Sequence, residues 1–315
     1  MSQRSAGDSP ARRLGYRLAG PRFDYILHLR PAEWPIMAAH TTLGYLLAVG
    51  VGGALRGDRL GALALGLVIW VLLLNGGTLA INSAFDRDEG DIGYLKAPPP
   101  PPRGLWQFSL LLLLLGQGLA FLLPTAFVWA YAACFAMSLV YSVPPFRWKA
   151  IAGLDWLINM IGFGTLTPYA GYVLTGALPG QAHLTVLLAF CPLFASLYPL
   201  TQLYQFEEDS RRGDRTLALI IGMRRSLQVA IVAAAVAHGL FVWAGCLSGW
   251  GTTGPDLMRW SALAISVMVW ARVLVPWLRR HAGMTPRQHQ NGMYAALGAW
   301  AVTDIVVILA WGLYT

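Results

Sequence analysis

Hydrophobic and polar positions along the chain fall into long blocks. Nine stretches, 36–55, 60–83, 105–123, 124–142, 151–174, 182–204, 226–246, 258–278 and 292–313, are almost free of charge. A helix needs roughly 20 mostly apolar residues to cross a bilayer, so each stretch predicts one span. The chain therefore reads as an all-α, polytopic membrane protein with about nine transmembrane helices in a bundle. Residues 1–24 are polar and basic and predict an N-terminal arm, with 25–315 as a single transmembrane domain. No apolar core follows the arginines of the arm, so no cleaved signal peptide is expected. The connections at 84–104 and 205–225 are longer than the rest and carry charge. Pro98 to Pro102 predict a stiff polyproline spacer in the first of them.

Polar residues within the spans are few and patterned. Asn75, Asn82 and Asp86 are spaced i, i+7, i+11, which puts them on one helical face. Tyr198, Gln202, Gln205 and Asp209 follow at intervals of 4, 3 and 4. Lipid offers no hydrogen bonds, so both stripes are expected to point into the bundle. Each ends in acids: Asp86, Asp88, Glu89 and Asp91 in the first, Glu207, Glu208, Asp209 and Asp214 in the second, out of 15 in the whole chain. Pro144 and Pro145 end the fourth span, turning Tyr141 and Lys149 toward one face. Asp155 and Asn159 make a third polar pair; Asp155 either pairs with a nearby cation or binds ligand, and both readings stay open.

Composition agrees with the spans: 56% of residues are hydrophobic and 12% charged, where a soluble domain carries about 25% charged. The net charge of +8 would suit nucleic acid, but 19 of the 23 Lys and Arg fall ahead of the first span and in the even-numbered connections. That asymmetry is the positive-inside pattern. It excludes nucleic-acid binding, and it puts the N-terminus and both acidic clusters on the cytoplasmic side of an integral, multi-pass membrane protein. Trp34, Trp106, Trp148 and Trp277 lie near span ends, where interfacial anchoring is expected. Cys134, Cys191 and Cys246 are far apart and read as core residues. His40 and His238, alone on apolar spans, read as satisfied bundle residues.

Carboxylate and amide oxygens are hard ligands suited to Mg²⁺, which often bridges protein acids to substrate phosphates. Lys149, Arg211, Arg212 and Arg215 are candidates to clamp a diphosphate by charge-assisted hydrogen bonds. Acids for a metal, bases for phosphate and an apolar bundle behind them imply a phosphorylated ligand with a hydrophobic tail.

The motifs that these residues form resemble the UbiA superfamily of intramembrane prenyltransferases. Asn82-Ser-Ala-Phe-Asp86-Arg-Asp-Glu-Gly-Asp91 is similar to its NDxxDxxxD motif, and Gln205-Phe-Glu-Glu-Asp209 to its DxxxD motif. The segment from Tyr141 to Lys149 is similar to its YSxPP…K segment. Asn82, Asp86 and Asp209 match; Ser83, Gly90 and Gln205 depart from the pattern, and Asp91 stands one residue late. The resemblance implies a nine-helix fold and transfer of an isoprenyl group from an isoprenyl diphosphate to a lipophilic acceptor of open identity, with membrane lipid as a further partner. It implies that Asp86 and Asp209 hold Mg²⁺ with help from Asn82, Asp91 and Glu208. Lys149 and Arg215 would neutralise the departing diphosphate. Arg87, Arg211, Gln205 and Asn159 would contact substrate, and the rings of Tyr141 and Tyr204 would face an allylic cation. The departures keep two other readings open: a cyclase of the same superfamily that needs no acceptor, and a lipid-binding or transport protein without chemistry.

Overall fold

The computed structural model describes residues 9–54, 57–86, 91–92, 94–206, 210 and 216–313. Among these the architecture is helical; strand-like pairing is limited to an isolated bridge between Ile92 and Leu95. Two short helices, α1 (Pro10–Ala19) and α2 (Phe23–His28), precede the bundle. Ser9 caps α1 by accepting from the Arg12 N–H, and Pro10 presets the first turn. The bundle comprises α3 (Trp34–Val49), α4 (Leu60–Asp86), α5 (Leu105–Ala120), α6 (Thr125–Ser142), α7 (154–173) and α8 (Gln181–Gln205). A short α9 (Leu217–Ile221) leads to α10 (Met223–Leu247), α11 (Pro255–Gly283) and α12 (Pro286–Gly312).

All nine predicted segments coincide with helix. Among the described residues, six helices are long and apolar enough to cross a membrane: α4, α6, α8, α10, α11 and α12. Six against the nine expected reflects local chemistry in the other three. Gly50, at φ 70°, stops α3 after 16 residues. α5 is also 16 residues long. α7 is interrupted: helix at Leu154–Asn159, a wider π-helical stretch at Met160–Leu166, and helix again at Thr167–Val173. A second π-helical stretch, Val68–Asn75, lies inside α4, and a third, Ile308–Gly312, ends α12. Such stretches rotate the residues beyond them and recur at functional sites.

α3 and α7 cross backbone to backbone. A Cβ on Gly44 would collide with the Pro168 carbonyl, and one on Gly171 with the Thr41 carbonyl; small residues are what permit such an approach between membrane helices. α8 lies against α7 and α10. Leu43, Trp70, Tyr131, Phe190 and Phe241 fill the interior, while Leu111, Phe121, Trp129, Val232 and Trp243 face outward. Trp277, expected at a membrane interface, is instead buried, its indole N–H donating to His289 Nδ1 at 2.9 Å. His238 is satisfied as expected: its ring nitrogens lie 2.8 Å from the Ala234 carbonyl and 2.9 Å from the Ser266 hydroxyl.

Candidate active site

The ends of α4, α6 and α8, the start of α7 and the flanks of α3 and α12 surround a cavity of about 760 Å³. Its polar wall is built from the first stripe and the segment after α6. One helical turn separates Asn82 from Asp86. Lys149 donates to the Asn82 Oδ1 at 2.9 Å and forms an ion pair with the Asp86 carboxylate. Arg147 Nη2 lies 3.8 Å from the same carboxylate, and the Ser142 hydroxyl reaches Asn82 Oδ1 at 3.4 Å. Arg147 has φ 39°, in the left-handed region. A side chain there is strained, and this turn brings Lys149 back over α4.

The second stripe meets the first across the cavity. Asp155, nearly fully buried, accepts from Tyr198 Oη at 3.2 Å, Gln202 Nε2 at 3.3 Å and the Gly153 N–H at 2.9 Å. Its hydrogen-bond partners are thus uncharged side chains and backbone, not a lysine or arginine. Tyr198 also lies 3.3 Å from Tyr141 Oη, and Gln202 Oε1 accepts from the Ala218 N–H at 3.1 Å, which ties α9 to the site. Behind these groups the wall turns aromatic: Phe163 stacks on Phe194 at 5.5 Å, and Phe194 meets Trp300 edge-on at 5.8 Å.

Asn82, Asp86, Asp91, Tyr141, Lys149, Asn159, Tyr204 and Gln205 all line this cavity. Arg87, Glu208, Asp209, Arg211 and Arg215 lie outside the described residues. Asp91 is partly engaged, its Oδ1 accepting from the Ala97 N–H at 2.8 Å. Among the described residues, no three His, Cys, Asp or Glu side chains gather closely enough to hold a metal by themselves.

Several lining residues carry no motif. Arg30, at φ 50° and buried, faces Glu33 at 3.7 Å and leaves Nε and Nη2 without a partner. Burial pushes the Glu33 carboxyl above its ordinary range, opposed by Arg30 and the Tyr94 N–H. His40 was expected to be an ordinary bundle residue. It lines the cavity instead, with Nδ1 3.3 Å from Asp304 Oδ1 inside α12 and Nε2 3.4 Å from the Gly164 carbonyl. No spacing links positions 30, 40 and 304, so only the rarity of charge within spans could have flagged Asp304.

Residues 37–298 match the UbiA prenyltransferase family. A digeranylgeranylglyceryl phosphate synthase of Natronomonas pharaonis is 29% identical over 229 residues, 68% of this chain and 78% of that protein. The structure of a UbiA homologue from Archaeoglobus fulgidus bound to GPP and Mg²⁺ superimposes with a TM-score of 0.71 at 19% identity, covering 93% of this chain and all of that one. The same homologue bound to DMAPP and Mg²⁺ gives 0.68 at 20% identity, covering 90% and 99%. At these identities the structural likenesses establish the fold.

Proposed function

The chain belongs to the UbiA prenyltransferase family, and on that premise we propose that this intramembrane prenyltransferase joins an isoprenyl group from an isoprenyl diphosphate to a lipophilic acceptor, with Mg²⁺ as its metal. The observation that carries the reading is one cavity with a carboxylate and carboxamide beside two cations at one end and aromatic rings at the other. The Archaeoglobus homologue was solved with GPP, DMAPP and Mg²⁺, ligands of the same chemistry.

The residues present suit a hard cation. Asn82 Oδ1 and the Asp86 carboxylate already share one cation, the Lys149 ammonium, and oxygen donors in this number fit Mg²⁺, which takes few protein ligands. Asp91, Glu208 and Asp209 would complete the set. Bound there, Mg²⁺ would supply Lewis-acid charge to the diphosphate oxygens. Lys149 and Arg147 would neutralise charge as it builds on the departing diphosphate, with Arg211 and Arg215 alongside. Arg87, Gln205 and Asn159 would hold the substrate in place. The rings of Tyr141 and Tyr204 would present their faces to an allylic cation, and the Phe163, Phe194 and Trp300 wall would keep water from capturing it. The Lys and Arg excess supports a cytoplasmic orientation for the N-terminus and this end of the cavity.

Purified protein in lipid nanodiscs should release diphosphate from an isoprenyl diphosphate only with Mg²⁺ and an acceptor extract. Asp86→Ala and Asp209→Ala should each abolish release without unfolding the protein. Full activity in either variant overturns the metal assignment. Release without acceptor, with a cyclic hydrocarbon formed, would instead fit the departures at Ser83, Gly90 and Gln205 and make the protein a cyclase.

A further inference from the structure

A second chamber, of about 200 Å³, adjoins the main cavity. The two share Arg30, Met37, Asn82, Tyr141, Asn159 and Phe163. The chamber's inner wall draws on both internal π-helical stretches: Trp70, Leu74 and Asn75 from α4, Gly162 and Phe163 from α7. Both helices thus depart from regular α geometry beside one small space.

Most hydroxyls around the chamber have partners. Thr78 and Ser138 Oγ atoms lie 2.6 Å apart, and Ser138 donates to the Cys134 carbonyl at 2.8 Å. Thr167 accepts from Trp70 Nε1 at 3.3 Å and donates to the Gly162 carbonyl at 3.0 Å. Asn75 differs: it is 4% exposed, and its Nδ2 has no hydrogen-bond partner. An amide donor buried in a membrane helix cannot turn to lipid for an acceptor, and an unmade hydrogen bond there carries a standing cost. An isoprenyl chain offers no acceptor either, and the aromatic wall of the main cavity suits it better.

We propose that this chamber takes the reacting head of the acceptor, a group about one ring in size bearing a neutral carbonyl or hydroxyl oxygen, and that Asn75 selects it by donating Nδ2–H to that oxygen. The size follows from volume, since a cavity of about 150 Å³ holds one benzene ring. Naming this ligand the acceptor rests on the transferase reading above; the preference of the chamber for an oxygen does not.

The two claims separate experimentally. Titration of the nanodisc-embedded protein with 4-fluoroacetophenone and with its oxygen-free isostere 4-fluoro-α-methylstyrene, followed by ¹⁹F NMR against empty nanodiscs, tests the chamber alone. Wild-type protein should bind the ketone about tenfold more tightly, the range of one hydrogen bond, and Asn75→Leu should bring the two within about twofold. Equal affinities in the wild type overturn the assignment whether or not the variant folds, as does a preference that survives in Asn75→Leu. In turnover, Asn75→Leu should lower kcat/KM for the acceptor about tenfold while leaving Mg²⁺-dependent binding of isoprenyl diphosphate unchanged. If wild-type protein releases no diphosphate with any acceptor, the transferase reading fails and the ¹⁹F titration still decides the chamber.

Discussion

Lys149 touches two oxygens at once, the Asn82 carboxamide and the Asp86 carboxylate, so one ammonium holds both side chains in place. Removing the ammonium should cost turnover more than binding, because the charge it opposes grows as the diphosphate leaves. Lys149→Met is expected to lower kcat at least about a hundredfold with a smaller change in KM, read from steady-state diphosphate release. Asp155 does a different job. It accepts three hydrogen bonds, from Tyr198, Gln202 and Gly153, and thereby fixes the second stripe against α7. Asp155→Ala removes the shared acceptor of those donors and leaves the buried Gln202 amide without it, a loss of about 1–3 kcal/mol that thermal unfolding in detergent should register. An unchanged Tm would show that the stripe is held by packing alone. Much of this was legible in the amino-acid pattern. Asn82 and Asp86, and Tyr198, Gln202 and Gln205, share helical faces, and a polar face in a membrane span has nowhere to go but inward. Arg30, His40 and Asp304 stayed hidden because each is a single polar residue from a different part of the chain, the turn before α3, α3 and α12, and what unites them is three-dimensional.

Elements were legible where apolar runs were long and uninterrupted, and less so where the backbone itself departs from regular geometry. The π-helical stretches at Val68–Asn75 and Met160–Leu166 have no signature in hydrophobic periodicity, which assumes one repeat throughout. The stripe spacing from Asn75 to Asn82 still put both on one chamber wall, since the wide turns end at Asn75. Trp277 was misjudged because position near a span end said nothing of the facing helix; α12 covers it through His289. The α3–α7 crossing was equally silent in sequence, as its glycines matter only for the backbone opposite. Gly171→Ala forces a methyl group against the Thr41 carbonyl. A loss of about 1–3 kcal/mol should follow, measured as a lower Tm, whereas Gly118→Ala, in a helix and facing open space, should not lower it.

At the scale of the whole molecule, the helices ahead of the bundle hold the connection between α4 and α5 from outside. Arg12 donates to the Lys96 and Ala97 carbonyls at 3.0 Å each, Tyr25 to the Arg103 carbonyl, and His28 Nε2 lies 3.1 Å from the Pro99 carbonyl. Burial lowers the His28 pKa, with the Pro99 carbonyl opposing. A histidine whose folded value is lowered contributes stability above its ordinary value of about 6.5 and loses it as pH falls through the folded value. Wild-type protein should therefore lose Tm more steeply than His28→Gln on acidification below about pH 6.5; parallel curves would show that His28 does not titrate there. The same connection carries Asp91 to the cavity rim, anchored through Ala97. α1 is largely exposed and its grip is made of a guanidinium on two carbonyls, so a site whose chemistry belongs to lipid has one edge tethered by groups within reach of water. Ionic strength, an antibody or a protease acting on that helix would thus reach the rim of the cavity from outside while the bundle stays intact.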